Sequence, residues 1–252
     1  MPVVQLSVNV NKVATLRNAR GGSVPDLVEA VQTCLNAGAP GITAHLRADG
    51  RHIRPPDVRA IAAHLQPLRD RVEFNLEGDP RPDLIDMALE VRPHQCTLVP
   101  VQPGEITSQA GWRPESSARL RPEIDRLHGC GIRVSLFVDP EVAAVEWAAS
   151  LGVERIELYT EPYARAFGHG QAEAEASFAV YVTAAKRAFE LGLGINAGHD
   201  LDLENLPLFR TLPHLDEVSI GHALISRALF RGLDPVVREY VAVLLGESAV
   251  AS

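Results

Sequence analysis

Short runs rich in β-branched and aliphatic side chains alternate, from one end of the chain to the other, with longer stretches whose apolar residues recur at helical spacing. The runs at 3–10, 41–46, 72–77, 95–99, 132–138, 155–159, 193–197 and 217–220 predict eight strands. The stretches at 25–37, 56–68, 83–91, 118–130, 140–151, 172–191 and 203–211 predict helices between them, and 234–245 predicts one that closes the chain. Gly38, Gly131, Gly152 and Gly192 each follow an apolar helical end, where a left-handed residue stops a helix. Strand and helix repeat about every 30 residues, the size of one strand-helix unit. Eight such units predict an α/β fold: a single (β/α)8 TIM barrel of parallel strands with outer helices, filling 1–252 as one domain. No Pro/Ser-rich linker or block of charge divides the chain, and no GxGxxG follows the first strand to support a dinucleotide fold.

With 252 residues, 46% of them hydrophobic and 22% charged, the chain can bury a full core, which excludes a disordered or collagen-like protein. A formal charge of -8 argues against a broad nucleic-acid footprint. The opening MPVVQLSVNVNK has no basic leader before an apolar run, and no stretch is long and apolar enough to cross a membrane, so a cytoplasmic location without membrane partners is expected. Cys34, Cys96 and Cys130 are widely spaced and odd in number, and they are expected to be reduced and semi-buried. Lys12 and Lys186 are the only lysines among 24 basic residues, which draws attention to where each one falls.

In barrels of this kind the chemistry lies at the C-terminal ends of the strands. The first predicted strand ends in Asn9, Asn11 and Lys12, with Arg17 and Arg20 beyond, and the second runs into His45 and Arg47, then Arg51 and His52. The third ends at Asn75 and Glu77, the seventh at Asn196, Gly198, His199 and Asp200, and the eighth at Gly221 and His222. Any one of these histidines alone would be an ordinary hydrogen-bonded residue. Four of them, His45, His52, His199 and His222, meeting a carboxylate at one mouth is what proton transfer to and from a single substrate requires. Glu77 is the candidate base there, against the plain alternative of an arginine partner. His64, His94, His128, His169 and His214 fall in helical or linker contexts. Gly221 and His222 open a short helix whose free backbone amides suit a phosphate, which together with Gly198 and the arginines of the first loops points to a phosphorylated small molecule. No HxH or HExxH pairs ligands at short spacing, so acid-base chemistry without a metal is expected.

The segments NVNKVATLRNARGG, GITAHLRADGRHI, FNLE, LVP followed by EIT, RVSLFVD, ELYTEPYA, NAGHD and SIGHALI, in this order, resemble the pyridoxine 5′-phosphate synthase family over nearly the whole chain. The resemblance implies condensation of 1-deoxy-D-xylulose 5-phosphate with 3-amino-2-oxopropyl phosphate, releasing phosphate and water, with no metal or organic cofactor. It implies His45 and Glu77 as general bases and His199 as general acid. Asn9, Arg20, Gly221 and His222 resemble contacts to the amino-ketone phosphate, and Arg47, His52 and Thr107 contacts to the deoxyxylulose phosphate. It further implies a homo-octamer. The family commonly has Asp-His where this chain has Asn11 and Lys12, and Gly where it has Asp200. The first exchange makes the mouth more positive, which suits phosphorylated substrates, and Asp200 is placed to orient His199. Asn11, Lys12 and Asp200 are therefore grouped with the substrate contacts. Two alternatives remain open on the residues alone: a Schiff-base aldolase using Lys12, activated by Arg17 and Arg20, and a phosphate-binding barrel without catalysis.

Overall fold

Alternate positions along each strand carry opposite chemistry, and this alternation decides which face looks into the barrel. The computed structural model describes residues 3–101 and 108–247. Strands β1 (Gln5–Asn9), β2 (Gly41–His45), β3 (Glu73–Gly78), β4 (Gln95–Leu98), β5 (Arg133–Val138), β6 (Arg155–Tyr159), β7 (Gly194–Gly198) and β8 (Leu215–Ile220) pair in chain order, all parallel, and β8 closes on β1. The helices are α1 (Asn11–Asn18), α2 (Leu27–Asn36), α3 (Pro55–Leu65), α4 (Pro82–Val91), α5 (Ser117–His128), α6 (Val142–Ser150), α7 (Glu161–His169), α8 (Gln171–Glu190), α9 (Leu206–Phe209), α10 (His222–Arg231) and α11 (Leu233–Leu245). The aliphatic set, including Leu6, Val8, Ile42, Leu76, Leu98, Leu136, Ile156 and Val218, packs with the helices in one continuous core.

The other set faces the lumen and is mostly polar; Phe137 and Tyr159, at the ends of β5 and β6, pack with Val99 in a small cluster apart from the main core. Ser7 Oγ lies 2.7 Å from Thr43 Oγ1, and Asn75 Nδ2 donates to Thr43 Oγ1 and Glu77 Oε1, both at 3.3 Å. Thr97 donates to Asn75 at 2.9 Å and receives Gln95 Nε2 at 3.2 Å. Asn196 Nδ2 reaches across from β7 to Gln95 Oε1 at 3.5 Å and to Glu217 Oε1 at 3.3 Å. At the N-terminal end Arg133 pairs with Glu73 and donates to Gln95, while Arg155 donates to Asn196. Barrel interiors are commonly filled by branched aliphatic layers. Here a hydrogen-bonded polar ladder runs up to Glu77.

All eight predicted strands form, and Gly38, Gly131, Gly152 and Gly192 adopt positive φ where they stop helices. Three helical details differ from expectation. α1 and α7 lie in segments for which no helix is predicted, because each is short and buries few residues: Val13, Ala14 and Arg17 in α1, and Tyr163 in α7. The helix expected over 203–211 shrinks to α9, because Asp202 Oδ1 takes the amides of Glu204 and Asn205 and holds the preceding turn out of helix. The cysteines also differ from expectation: Cys34 and Cys96 are fully buried and Cys130 is exposed, all three unpaired. Among the described residues no helix is long and apolar enough to cross a membrane.

Beyond β4 the chain is stitched back over the strand ends. Ser108 Oγ donates to Pro100 O at 2.7 Å, Gly111 N to Asp139 Oδ1 at 3.0 Å, Trp112 N to Phe137 O at 2.9 Å and Trp112 Nε1 to Leu98 O at 2.8 Å. A Cβ on Gly111 would sit 2.4 Å from Asp139 N and Val138 Cα, both backbone atoms that cannot step aside. Gly111→Ala is therefore expected to lower unfolding free energy by about 2 kcal/mol or more. A denaturant melt followed by circular dichroism checks this, and an unchanged midpoint would contradict so close an approach.

Candidate active site

Because all strands are parallel, their C-terminal ends bring Asn9, His45, Glu77, His199 and Gly221 to one mouth. His45 and Glu77 are register partners on β2 and β3, so their side chains lie abreast, with His45 Nδ1 3.8 Å from Glu77 Oε2. Asn9 Nδ2 donates to the same Oε2 at 3.4 Å. The His52 ring stands edge-on to His45, with centroids 5.7 Å apart. Both imidazoles and the carboxylate are buried. Burial pushes His45 down to about 3, helped by His52, Arg47, Arg81 and Arg51 nearby. His52 is pushed down to about 4 by burial and then by Arg47 and Arg51. Both rings are thus neutral near pH 7. Nε2 of His45 and Nδ1 of His52 have no hydrogen-bond partner among the described residues. Burial, and after it the charge of Glu217, holds Glu77 well above the ordinary carboxylate range. Glu77 caps the polar ladder and is desolvated by depth, beside other carboxylates.

The second half of the mouth is the turn after β7. His199 and Asp200 both have positive φ, 93° and 59°, where His and Asp are among the few tolerated non-glycine residues. This left-handed geometry would also suit the glycine that the resemblance implies at position 200. Thr160 clamps the turn by donating to Gly198 O at 2.8 Å and to His199 O, and Asn205 Nδ2 donates to Asp200 O at 3.1 Å. His199 Nδ1 lies 2.8 Å from Asp200 Oδ2, and the Tyr159 ring packs against the imidazole in a T with centroids 5.2 Å apart.

The expected phosphate contacts separate into groups. Gly221 caps α10, whose first turn has no side-chain cap, so its amides face outward unclaimed by a side chain; His222 is exposed beside them. A Cβ on Gly221 would lie 3.0 Å from Asn9 Cβ and O, so β8 and β1 close tightly there. Lys12 and Asn11 start α1, and Arg20 is exposed on the turn beyond it. Asn11 is already engaged: its Oδ1 receives His45 N at 2.9 Å, and its own N–H is held by Asn9 Oδ1 at 3.1 Å. It thus sets the backbone that carries His45. Arg47 lies 3.4 Å from Asp49. Arg17, counted among the phosphate-seeking arginines, is instead bound by both oxygens of Asp57, at 2.6 and 2.8 Å, and is structural. Thr107 lies outside the described residues.

One residue of the site escaped the sequence reading. Glu157 on β6 is buried beneath the mouth, with Oε2 lacking a partner among the described residues, and burial and Glu77 raise it well above the usual carboxylate range. The alternation in RIELY, with isoleucine and leucine outward and glutamate inward, is the signal that points to it. Among the described residues no group of three His, Cys, Asp or Glu side chains is arranged to hold a metal ion.

The family described as pyridoxal phosphate biosynthesis protein PdxJ matches residues 6–245. A pyridoxine 5′-phosphate synthase of Bacteroides fragilis is 53% identical over 240 residues, covering 94% of this chain and 98% of that one. One of Xanthomonas campestris pv. campestris is 48% identical over 256 residues, covering 98% of each. Among solved structures, a phosphoribosylanthranilate isomerase of Thermotoga maritima superposes with a TM-score of 0.60 at 15% identity, covering 96% of this chain and 99% of that one, a likeness of fold alone.

Proposed function

The chain belongs to the pyridoxine 5′-phosphate synthase family, and from that membership we propose that its barrel mouth condenses 1-deoxy-D-xylulose 5-phosphate with 3-amino-2-oxopropyl phosphate into pyridoxine 5′-phosphate, phosphate and water. The enzyme is a transferase, so the aldolase and non-catalytic alternatives fall away. The observation that carries the assignment of roles is the buried Asn9–Glu77–His45 contact on one side of the mouth, with His199 on the other. Ring closure needs a proton taken from carbon next to an imine or carbonyl and another delivered to a departing hydroxyl. Glu77 takes the first. His45, neutral and open at Nε2, serves as a second base, and His199 as imidazolium delivers the other proton. The amides of α10 with Gly221 and His222, together with Asn9 and Arg20, hold the amino-ketone phosphate. Arg47, His52 and Thr107 hold the deoxyxylulose phosphate, and Lys12 adds a compact positive charge at the rim. The chain works as one domain in the cytoplasm, and as a homo-oligomer, an octamer by family resemblance. Apolar side chains left open to solvent, Phe230 and Leu229 on α10 among them, support burial between subunits.

The test is direct: the purified protein, given both phosphorylated substrates, is expected to form the pyridoxine phosphate chromophore. Borohydride added during turnover should leave no adduct on Lys12 in a peptide mass map. Absent turnover, or a trapped Lys12 adduct, would overturn the assignment.

A further inference from the structure

The carboxylate of Asp200 is unsuited to touch a phosphate, because two negative groups in contact repel. The side chain has another partner. Asp200 Oδ2 lies 2.8 Å from His199 Nδ1. Hydrogen bonding to His199, with the charges of His199, His222 and Lys12, holds Asp200 below the usual aspartate range despite burial acting the other way, so it is ionised at neutral pH. An ionised carboxylate only accepts, so Nδ1 carries the hydrogen and Nε2 is the nitrogen left for other partners. Among the described residues nothing else packed around His199 competes for Nδ1. Tyr159 meets the ring by its edge, and Thr160 and Asn205 are spent on the backbone carbonyls of the turn. Lys12 on α1 and His222 on α10 are cationic or neutral groups facing Asp200, and Glu157 on β6 lies beneath Gly198.

We propose that Asp200 is a positioning residue for His199, fixing the imidazole in the Nδ1–H form with Nε2 presented to the substrate. This rests on the assignment of His199 as the proton donor. A carboxylate that holds an imidazole in one tautomer is a device known to matter for turnover far more than for binding. Here it is built from adjacent residues: consecutive left-handed residues turn the Asp200 side chain back onto the ring before it. Where relatives have glycine at this position the same backbone turn is free of strain, but no carboxylate is present to fix the ring. The charge of Lys12 beside Asp200 offsets the added negative charge near an anionic substrate.

The proposal is tested on the intact enzyme by nitrogen-15 NMR of its histidines and by steady-state kinetics. In the parent protein with the His199 ring uncharged, the ring is expected as the Nδ1–H tautomer, the reverse of the preference of free histidine in water. Asp200→Asn, which keeps shape and loses charge, should shift the ring toward Nε2–H and lower kcat by about 10-fold to 100-fold, with KM for both substrates within about twofold. Asp200→Gly, which relieves the backbone, should lose the tautomer preference as well. A parent enzyme whose His199 is Nε2–H, or variants in which KM rises while kcat holds, would overturn the proposal. The parent spectrum decides even if a variant fails to fold. Turnover by the parent tests the assigned activity separately.

Discussion

Glu77→Gln is expected to lower kcat by about 100-fold or more while both phosphorylated substrates still bind. The amide keeps the shape of the carboxylate, and its one oxygen still accepts from either Asn9 or Asn75, which now meet the two oxygens of Glu77 separately; the donor left facing the amide nitrogen must turn away, and basicity is lost. The pH dependence gives a second readout with a fixed sign. A base acts only when ionised, and burial together with Glu217 holds Glu77 above the ordinary value of 4.5. The parent kcat/KM should therefore climb with pH through a limb lying well above 4.5, and that limb should vanish in the variant, because no carboxylate remains there to titrate. His45 and His52 are pushed the opposite way, to about 3 and about 4, and contribute no competing limb near neutrality. Calorimetry of each substrate beside a single-turnover rate separates the outcomes. Weakened binding with an unchanged chemical step would make Glu77 a structural partner and not the base.

The barrel was legible because period-2 strands and period-3.6 helices leave different marks, and all eight strands appear within a few residues of where the pattern puts them. The mouth was legible too, since strand ends point one way in a parallel barrel. What the pattern concealed was the lumen. Ser7, Thr43, Asn75, Thr97, Ser135, Glu157, Asn196 and Glu217 alternate with aliphatic residues, which at sequence level suggests a sheet with one wet face. Only closure of the sheet turns that face inward and makes the hydrogen bonds that satisfy most of it, with Ser135 Oγ and Glu157 Oε2 left without a partner among the described residues. Arg17 was misjudged for a related reason: its partner Asp57 is 40 positions away, on a helix that local spacing does not connect to it. Asp200 shows the reverse case. Its departure from the family pattern was visible, but the reason it is tolerated, a left-handed φ of 59° with the side chain folded onto His199, is a property of the folded turn.

Gly198→Ala is expected to be the most damaging single methyl group at the mouth. A Cβ there would stand 2.4 Å from Glu157 Oε1 and 3.2 Å from Ser219 O. The backbone of β8 cannot retreat, so the Glu157 carboxylate must move, although it is buried and its Oε2 has no partner among the described residues to guide it to a new place. Gly198 also immediately precedes His199, so any shift of the strand end rotates the ring that the site relies on. Misplacement of about 1 Å is enough to cost on the order of 100-fold in rate, and a similar loss is expected in kcat, with a lowered melting temperature from overpacking. The cause can be isolated by a double-mutant cycle. Glu157→Asp withdraws the carboxylate by one methylene, so in the Gly198→Ala background it should restore part of both stability and rate, although alone it brings only a loss. If the two substitutions simply add, the methyl group acts elsewhere and the glycine at position 198 is not there to make room for Glu157.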